Sequence, residues 1–399
     1  MRKTASSLTL ALALMLGGCD LLPGNDASEG ASSAPPSQAT APQDQLGARD
    51  PAPGVTPAAA VADDQPRQVM QLQVVLDRLG FTPGVVDGKE GLSTRNAVLG
   101  FQEANGLEQT GTLDPATSAI LAKWNNIPAT RVVTIPDDFA AGPFARIPAK
   151  AAQQAKLKVM GYETLDEKLA ERFHTTVATL QALNPVPAVA NGAMPTMTSP
   201  VVGPVVGPVE QTSETAAPAS LFQAGQQIRV PNVGADQIDA AAASDAAWRD
   251  TLAMLGVGSL QPKADRIVVS KSKGTLRAYD ASGKLVAMFT ATMGSSHDPL
   301  PLGNWKILGV AHNPPFHYNP ALFWDVSDKA QKQLLPPGPN GPVGVVWIDL
   351  SKPHYGIHGT PSPETIGRAQ SHGCVRLTNW DVARLAQMVS TSTKVEFQA

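Results

Sequence analysis

A cysteine and two histidines near the C-terminus have the residue types of a covalent catalytic site. Cys374 closes the run Ser371-His372-Gly373-Cys374, and His358 lies upstream of it. A thiol attacks as the thiolate, so it needs a neighbour that takes its proton or stabilises its charge. His358 and His372 are the candidates, and Gly373 lets main-chain N–H groups turn toward a developing oxyanion. The pattern predicts nucleophilic catalysis by Cys374.

Two other interpretations of these residues stay open. A lone cysteine is often a small buried hydrophobic residue. His358, His372 and Cys374 are also a possible set of three zinc ligands. The remaining histidines form no ligand-spaced pair with a second cysteine, because the chain has 2 cysteines and the other is Cys19. We therefore predict no metal and no cofactor.

The residues around Cys374 resemble the catalytic segment of the L,D-transpeptidases (YkuD domain). The resemblance rests on residues 357–361 (IHGTP), 365–367 (TIG) and 371–377 (SHGCVRL). It implies that a peptidoglycan stem tetrapeptide acylates Cys374 and that the acyl group passes to an amine on another stem. His358 maps onto the general base of the family.

The same resemblance assigns further site residues. The predicted catalytic residues are Cys374, His358, His372, Gly373 and Arg376, and the predicted substrate contacts are Gly359, Ser371 and Arg376. Arg376 is a candidate for binding a substrate carboxylate or holding a loop. A structural ion pair is an equally good interpretation of this arginine.

A thiolate nucleophile in an acyl-transfer site predicts that carbapenem-type β-lactams acylate Cys374. Two other classes of function remain open. One is a wall hydrolase, a carboxypeptidase or endopeptidase that uses the same residues with water as acceptor. The other is a non-catalytic wall-binding lipoprotein, although a chain without catalysis has no chemical reason to keep both His358 and Cys374.

Residues 1–18 have the organisation of a lipoprotein signal peptide. Arg2 and Lys3 precede an apolar run at 8–16, which is shorter than the roughly 20 residues that a bilayer span needs. The run ends in LGGC at 16–19, which resembles a bacterial lipobox and predicts lipidation of Cys19 and a membrane anchor facing the periplasm. An ordinary secretory signal is the alternative. By resemblance to lipoprotein sorting, Asp20 favours the inner membrane.

Residues 19–64 contain no aromatic residue and are rich in Ala, Pro, Ser, Gly, Asp and Gln. Such a composition cannot bury enough apolar surface to offset the entropy of ordering, so we predict a disordered tether. The net charge is −3 and no long basic run exists. Nucleic-acid binding therefore has no support.

Residues 65–126 carry three helical patterns. Apolar side chains recur with helical spacing from Leu72, a second pattern begins near Ser93, and Asp114 caps a third that has Pro115 at its first position. The segment resembles a three-helix peptidoglycan-binding domain in motifs such as 79–81 (LGF), 86–88 (VDG) and 105–107 (NGL). It predicts peptidoglycan as a partner, and a small helical spacer is the alternative.

Residues 160–233 resemble a LysM carbohydrate-binding module of mixed helix and strand. Thr164 begins one helix and Thr176 begins another, and a closing strand follows at 224–231 (AGQQIRVP). The insertion at 186–220, rich in Val, Pro, Thr and Gly, departs from that family. A structural connector is the alternative, and 127–159 and 234–264 are predicted linkers.

Residues 265–399 predict a mainly-β, sandwich-like catalytic domain, because short β-rich runs alternate with polar turns. The proline-rich stretch 312–342 is predicted to be an ordered loop that could cover a cleft. A helix capped by Thr378 is predicted after the nucleophile. The expected fold class is thus multidomain: a three-helix wall-binding domain, a LysM-like α+β segment and this C-terminal domain.

Overall fold

A computed structural model describes residues 65–185, 217–234, 238–239, 243–324, 326 and 330–399. The predicted signal peptide, Cys19 and the tether lie outside these residues, as does most of the insertion at 186–220. Among the described helices, none is long and apolar enough to cross a membrane.

The N-terminal region contains the three predicted helices. Its elements are α1 (Gln68–Arg78), β1 (Phe81–Thr82), α2 (Leu92–Ala104) and α3 (Pro115–Leu121). Asp114 caps α3 by accepting a hydrogen bond from the Thr117 backbone N–H, as predicted. The Phe101 ring packs edge-on against Phe81 and Trp124, with ring centroids 6.0 and 6.2 Å apart. These contacts hold the small helical region together.

The middle region is built from two strands and four helices among the described residues. They are β2 (Thr130–Thr134), α4 (Asp137–Ala140), α5 (Ala151–Gln154), α6 (Leu165–Arg172), α7 (Val177–Leu183) and β3 (Gln227–Pro231). Thr164 and Thr176 cap α6 and α7 as predicted. β2 pairs antiparallel with β3, and α6 and α7 lie between them in the chain.

Two stretches predicted as linkers contain packed structure instead. β2 lies in the first linker, 127–159, and its pairing partner is too distant in sequence for local pattern to reveal it. The second linker, 234–264, contains α8 (Ala246–Leu255). Trp248, Leu252 and Leu255 of α8 belong to the main hydrophobic core.

The C-terminal region is mainly β, as predicted. It contains β4 (Arg266–Ser270), β5 (Thr275–Tyr279), β6 (Leu285–Thr290), β7 (Thr292–Met293), β8 (Gly303–His312), β9 (Phe316–Tyr318), β10 (Gln333–Leu335), β11 (Val346–Leu350), β12 (Gly356–His358), β13 (Val375–Arg376), α9 (Asn379–Met388) and β14 (Lys394–Gln398). Thr378 caps α9 by accepting from the Asp381 N–H, which was also predicted.

Among the described residues, ten strands form one continuous ladder rather than two separate sheets. Its order is β1-β6-β5-β4-β14-β8-β11-β12-β13-β7. The first half of β8 pairs with β14 and the second half with β11, so this long strand joins the two halves. The expected sandwich is therefore connected through a shared strand. β1 extends the ladder by pairing parallel with β6, so the helical region shares this sheet.

Three regions of the chain meet at a buried polar cluster. Arg384 of α9 donates to Asp77 of α1, with Nη2 and Oδ2 2.8 Å apart. His174, which follows α6, has Nδ1 3.1 Å from Asp77 Oδ2 and Nε2 2.9 Å from the Leu255 carbonyl. The His174 ring also stacks on Trp380 at 5.0 Å. We call Asp77, His174, Trp380 and Arg384 the junction cluster.

Candidate active site

The strand register places Cys374, His358 and Arg376 on one face of the sheet. β12 and β13 are parallel, with Ile357 opposite Val375 and His358 opposite Arg376. Side chains alternate along a strand, so Ile357 and Val375 enter the core while the other three face away from it. Cys374 is two positions before Arg376, which is about 7 Å along the strand direction.

The Cys374 sulfur is held by the backbone just before β12. Sγ lies 3.7 Å from the His354 carbonyl oxygen, to which the thiol donates. Burial raises the pKa of the Cys374 thiol, while a hydrogen bond from the Gly356 N–H and the charge of Arg376 act in the opposite direction. Among the described residues, no hydrogen bond joins Cys374 to His358. The Cys374 side chain is therefore a neutral thiol at rest.

His358 is buried, and among the described residues one of its ring nitrogens has a hydrogen-bond partner and the other has none. Its Nδ1 lies 2.7 Å from the Gly359 carbonyl oxygen. A carbonyl only accepts, so Nδ1 carries the proton and Nε2 keeps its lone pair. Burial, together with the nearby charge of Arg376, lowers the pKa of His358 to about 4. His358 is thus neutral near pH 7, and its ring stacks on Trp347 at 5.6 Å.

Ser371 fixes the turn that carries the nucleophile. Its hydroxyl donates to the Cys374 carbonyl at 2.6 Å and accepts from the Gly294 N–H at 2.7 Å. The Ser371 N–H also donates to the Gly294 carbonyl at 3.2 Å, and the side chain is buried. We predicted a substrate contact for Ser371. The structure places this hydroxyl in an enclosed position, already bonded within the protein, and the substrate contact stays a prediction.

Gly359, the other predicted substrate contact near the histidine, is enclosed as well. It is buried, and its N–H donates to the Val343 carbonyl at 3.0 Å. A Cβ at this position would collide with the side-chain oxygen of Asn379. Gly359 therefore allows close packing behind His358, and its contact with substrate stays a prediction. Sequence analysis missed Asn379, whose role depends on contacts between residues far apart in the chain.

Gly373 lies immediately before the nucleophile in a conformation that favours glycine. Its φ is +96°, and an added Cβ would strike the Tyr355 ring. Tyr355 was not predicted as a site residue. Burial raises its pKa, and the Asp298 and Cys374 charges add to that effect. Tyr355 thus supports the turn at Gly373 and lies near Cys374.

His372 faces an aromatic group from the loop that was predicted to cover the cleft. Its ring meets Phe323 edge-on at 5.1 Å and Trp324 at 6.1 Å. Trp324 also stacks on His297 at 4.8 Å and is 58% exposed. The stretch 312–342 contains the antiparallel pair β9 and β10 as well as these aromatics. Its aromatic side chains therefore lie beside the SHGC turn.

Arg376 influences both reactive side chains through its charge. It contributes to the lowered pKa of His358 and opposes the rise in the pKa of Cys374. Its position opposite His358 follows from the β12–β13 register. Within the described ranges, no group of three or more His, Cys, Asp or Glu side chains is placed to hold a metal ion.

Comparisons with known proteins match the two ends of the described chain. The family model of the L,D-transpeptidase catalytic domain matches residues 264–397. A putative peptidoglycan binding domain matches residues 65–121. These matches fall on the mainly-β region and on the N-terminal helices.

Relatives extend this similarity. A putative L,D-transpeptidase of Fuscovulum blasticum is 30% identical over 149 residues, which are 37% of this chain and 74% of that protein. The putative L,D-transpeptidase YkuD of Bacillus licheniformis is 35% identical over 130 residues, 33% of this chain. The chain spans 63% of the length of that relative. A solved L,D-transpeptidase from Mycobacterium smegmatis is 21% identical with a TM-score of 0.28, covering 34% of this chain and 59% of that one.

A cysteine and a neutral histidine on one sheet face, within a matched catalytic domain, define the class of this protein. The chain belongs to the L,D-transpeptidase family.

Proposed function

We propose that this protein is an L,D-transpeptidase that acts on peptidoglycan stem peptides through a thioester on Cys374. The observation that carries the proposal is the open Nε2 of His358 on the sheet face that also presents Cys374. Family membership supports the reaction class. The substrate and the acceptor follow from the chemistry of that class.

The first half-reaction is acylation. His358 Nε2 takes the proton of the thiol as Sγ attacks the carbonyl before the terminal D-amino acid of a donor stem. The C–N bond then breaks, and the protonated His358 gives its proton to the leaving amine. Because thiol and imidazole are both neutral at rest, proton transfer accompanies attack instead of preceding it.

The second half-reaction returns the enzyme to its starting state. An amine of another stem attacks the thioester, His358 removes a proton from that amine, and the Cys374 thiolate leaves and is reprotonated. Backbone N–H groups at residues 372–374 are the proposed oxyanion donors. Loss of one such donor typically costs about 3 kcal/mol of transition-state stabilisation.

The decisive test uses purified full-length protein, tetrapeptide stems and mass spectrometry of the products. Wild type is expected to form cross-linked dimers through a thioester on the peptide that contains Cys374. Cys374→Ala is expected to lose both products while still binding sacculi. Release of the terminal D-amino acid without dimers would assign the hydrolase alternative instead. Full turnover by Cys374→Ala would refute the cysteine mechanism.

Residues 65–121 are proposed to bind the wall, since they match a putative peptidoglycan binding domain. The β2-α6-α7-β3 region is proposed as a second, LysM-like glycan contact. The cap residues Thr164 and Thr176 and the antiparallel β2–β3 pair support this proposal. Sedimentation with sacculi, compared with and without soluble chitin oligosaccharides, would separate the two contributions.

Membrane anchoring through Cys19 remains a proposal from the sequence alone. Its support is the apolar run that ends in LGGC at 16–19. The expected mature N-terminus is a diacylated cysteine that faces the periplasm, and Asp20 favours the inner membrane. Cys19→Ser should then release a soluble or uncleaved form. An unmodified N-terminus in wild type would refute the anchor.

A further inference from the structure

The first residue of α9, Asn379, packs directly behind the catalytic histidine. Asn379 is fully buried. Its side-chain oxygen lies so close to Gly344 and Gly359 that a Cβ on either glycine would collide with it. The Gly359 carbonyl accepts the proton on His358 Nδ1. Asn379 therefore restrains the peptide that fixes the tautomer of His358.

Three partners fix the orientation of the Asn379 amide. Its Nδ2 donates to Glu171 Oε1 at 2.8 Å and to the Pro339 carbonyl at 3.1 Å. Its Oδ1 accepts from the Val345 N–H at 3.3 Å. The Pro339 carbonyl only accepts and the Val345 N–H only donates, so the amide nitrogen must face Pro339 and Glu171 and the oxygen must face the glycines.

Glu171 belongs to α6, outside the segment that matches the catalytic domain. It is buried and also accepts a hydrogen bond from the Tyr162 hydroxyl. A second contact reinforces the connection, because Met160 exchanges backbone hydrogen bonds with Pro337 and Asn340 at 2.8 and 2.9 Å. The loop after residue 340 in turn accepts the Gly359 N–H at Val343. Two routes thus run from the middle region to the backbone behind His358.

We propose that Asn379 is a positioning residue for the general base His358, and that Glu171 of the middle region holds Asn379 in the required orientation. This inference rests on the proposed function in taking His358 as the base. It gives the middle region a part in catalysis besides any contact with the wall. The charged group that acts on His358 itself is Arg376, while Tyr162 and Glu167 act on Glu171.

The test compares Asn379→Ala with His358→Ala in full-length protein. The first readout is the rate of Cys374 acylation by a carbapenem, followed by intact mass. Displacing a catalytic group by about 1 Å can cost on the order of 100-fold, so we expect Asn379→Ala to lose about 10–100-fold in the maximal rate with little change in the half-saturating concentration. In the double variant, Asn379→Ala should add almost nothing to His358→Ala.

The second readout needs no activity. The His358 ring is followed by NMR of histidine-labelled protein across pH, with its signal assigned through His358→Ala. In wild type it should titrate near the low pKa that burial produces. In Asn379→Ala the loosened backbone should admit water, so the midpoint should move up toward the ordinary histidine value of about 6.5. Failure of wild type to react with donors would overturn the proposed function, while this titration would still decide the inference.

Two control variants separate positioning from stability. Asn232→Ala removes another buried asparagine, which accepts from Arg78 and donates to Pro128 remote from His358 in the chain, and should leave the His358 titration unchanged. Glu171→Gln keeps an oxygen that accepts from Asn379 and should retain the wild-type rate. Glu171→Ala should reproduce part of the Asn379→Ala loss, and it replaces that variant if Asn379→Ala fails to fold. Additive rate losses with His358→Ala, or an unchanged His358 titration, would overturn the inference.

Discussion

His174 in the junction cluster and His358 in the candidate site are both buried, but they use their ring nitrogens differently. Both nitrogens of His174 face acceptors, the Asp77 carboxylate and the Leu255 carbonyl. Among the residues that the structure describes, His358 has Nδ1 on the Gly359 carbonyl and no hydrogen-bond partner at Nε2, and it lies on the sheet face that also presents Cys374. His174 joins parts of the structure, whereas His358 keeps a lone pair available for proton transfer.

The junction cluster and the candidate site also differ in how neighbouring charges shift the pKa of a buried group. Burial alone would raise the pKa of Asp77, but the charges of Arg384 and His174 hold it well below its usual range. In the candidate site the Arg376 charge instead favours a neutral His358. A buried charge with matched partners is costly to break, whereas a buried neutral imidazole keeps a lone pair that can take a proton only as the thiol attacks. Burial therefore does not by itself identify a catalytic histidine, but the open nitrogen does.

The largest expected effect is the loss of catalysis in His358→Ala. General base catalysis typically contributes about 10²–10⁴-fold, so acylation of Cys374 by a carbapenem should slow by about that factor. Because the buried His358 ring also stacks on Trp347, thermal unfolding of the variant is measured alongside, and the rates are compared for the folded fraction. Intact mass over time measures the rate. A His358→Ala rate within about threefold of wild type would contradict the assignment of the base.

Asp77→Ala should lower the stability of the protein and leave its catalysis unchanged. Removing one partner of a buried ion pair typically costs about 3–5 kcal/mol, and Asp77 contacts groups from the other two regions. Urea unfolding should show that loss, with the acylation rate of the folded fraction unchanged. Arg266→Met is the matched control, since its pair with Glu396 is largely exposed and should contribute about 0–1 kcal/mol. An equal loss of unfolding free energy in Asp77→Ala and Arg266→Met would contradict a special structural role for the junction cluster.

Glu171 of the middle region accepts a hydrogen bond from Asn379 of the C-terminal region. Its raised pKa predicts that the stability of the protein depends on pH. Burial raises its pKa from 4.5 to about 7, so the folded state binds this proton more tightly than the unfolded state does. The contribution of Glu171 to stability is therefore most favourable below about pH 4.5, and it declines as the pH rises through 7. By about 1.4 kcal/mol per pKa unit, the upper limit is on the order of 3 kcal/mol.

Glu171→Gln removes this titration. Relative to wild type, its unfolding midpoint should rise progressively between pH 4.5 and 7.5, as differential scanning calorimetry would measure. The difference between the two proteins isolates Glu171, because Asp381, whose pKa burial also raises to about 7, is present in both. A difference that is constant with pH would show that Glu171 is not protonated in the folded state near neutrality.

Local signals predicted much of this molecule. The caps at Asp114, Thr164 and Thr378 predicted three helix starts, which the structure confirms. The SHGC run predicts Cys374 as the nucleophile. The strand β2, the helix α8 and the role of Asn379 were missed. Each of these depends on a partner distant in the chain, such as β3 for β2 and Glu171 for Asn379. Short-range periodicity carries no information about such pairing.

The smallest expected effect concerns Tyr355, which lies against the turn of the nucleophile. Its ring occupies the space beside Gly373, so Tyr355→Phe preserves the packing and removes only the hydroxyl. Because the thiol is held by the His354 carbonyl and the Gly356 N–H, acylation should slow by no more than about threefold, less than the roughly 10²-fold limit for a misplaced group. Tyr355→Ala should cost more, since it empties that space and lets the turn move. If Tyr355→Phe instead matched the loss in His358→Ala, the hydroxyl would take part in proton transfer. His358 would then not be the only proton-transfer group proposed for the site, and the comparison of His358 with His174 would no longer be enough to explain catalysis.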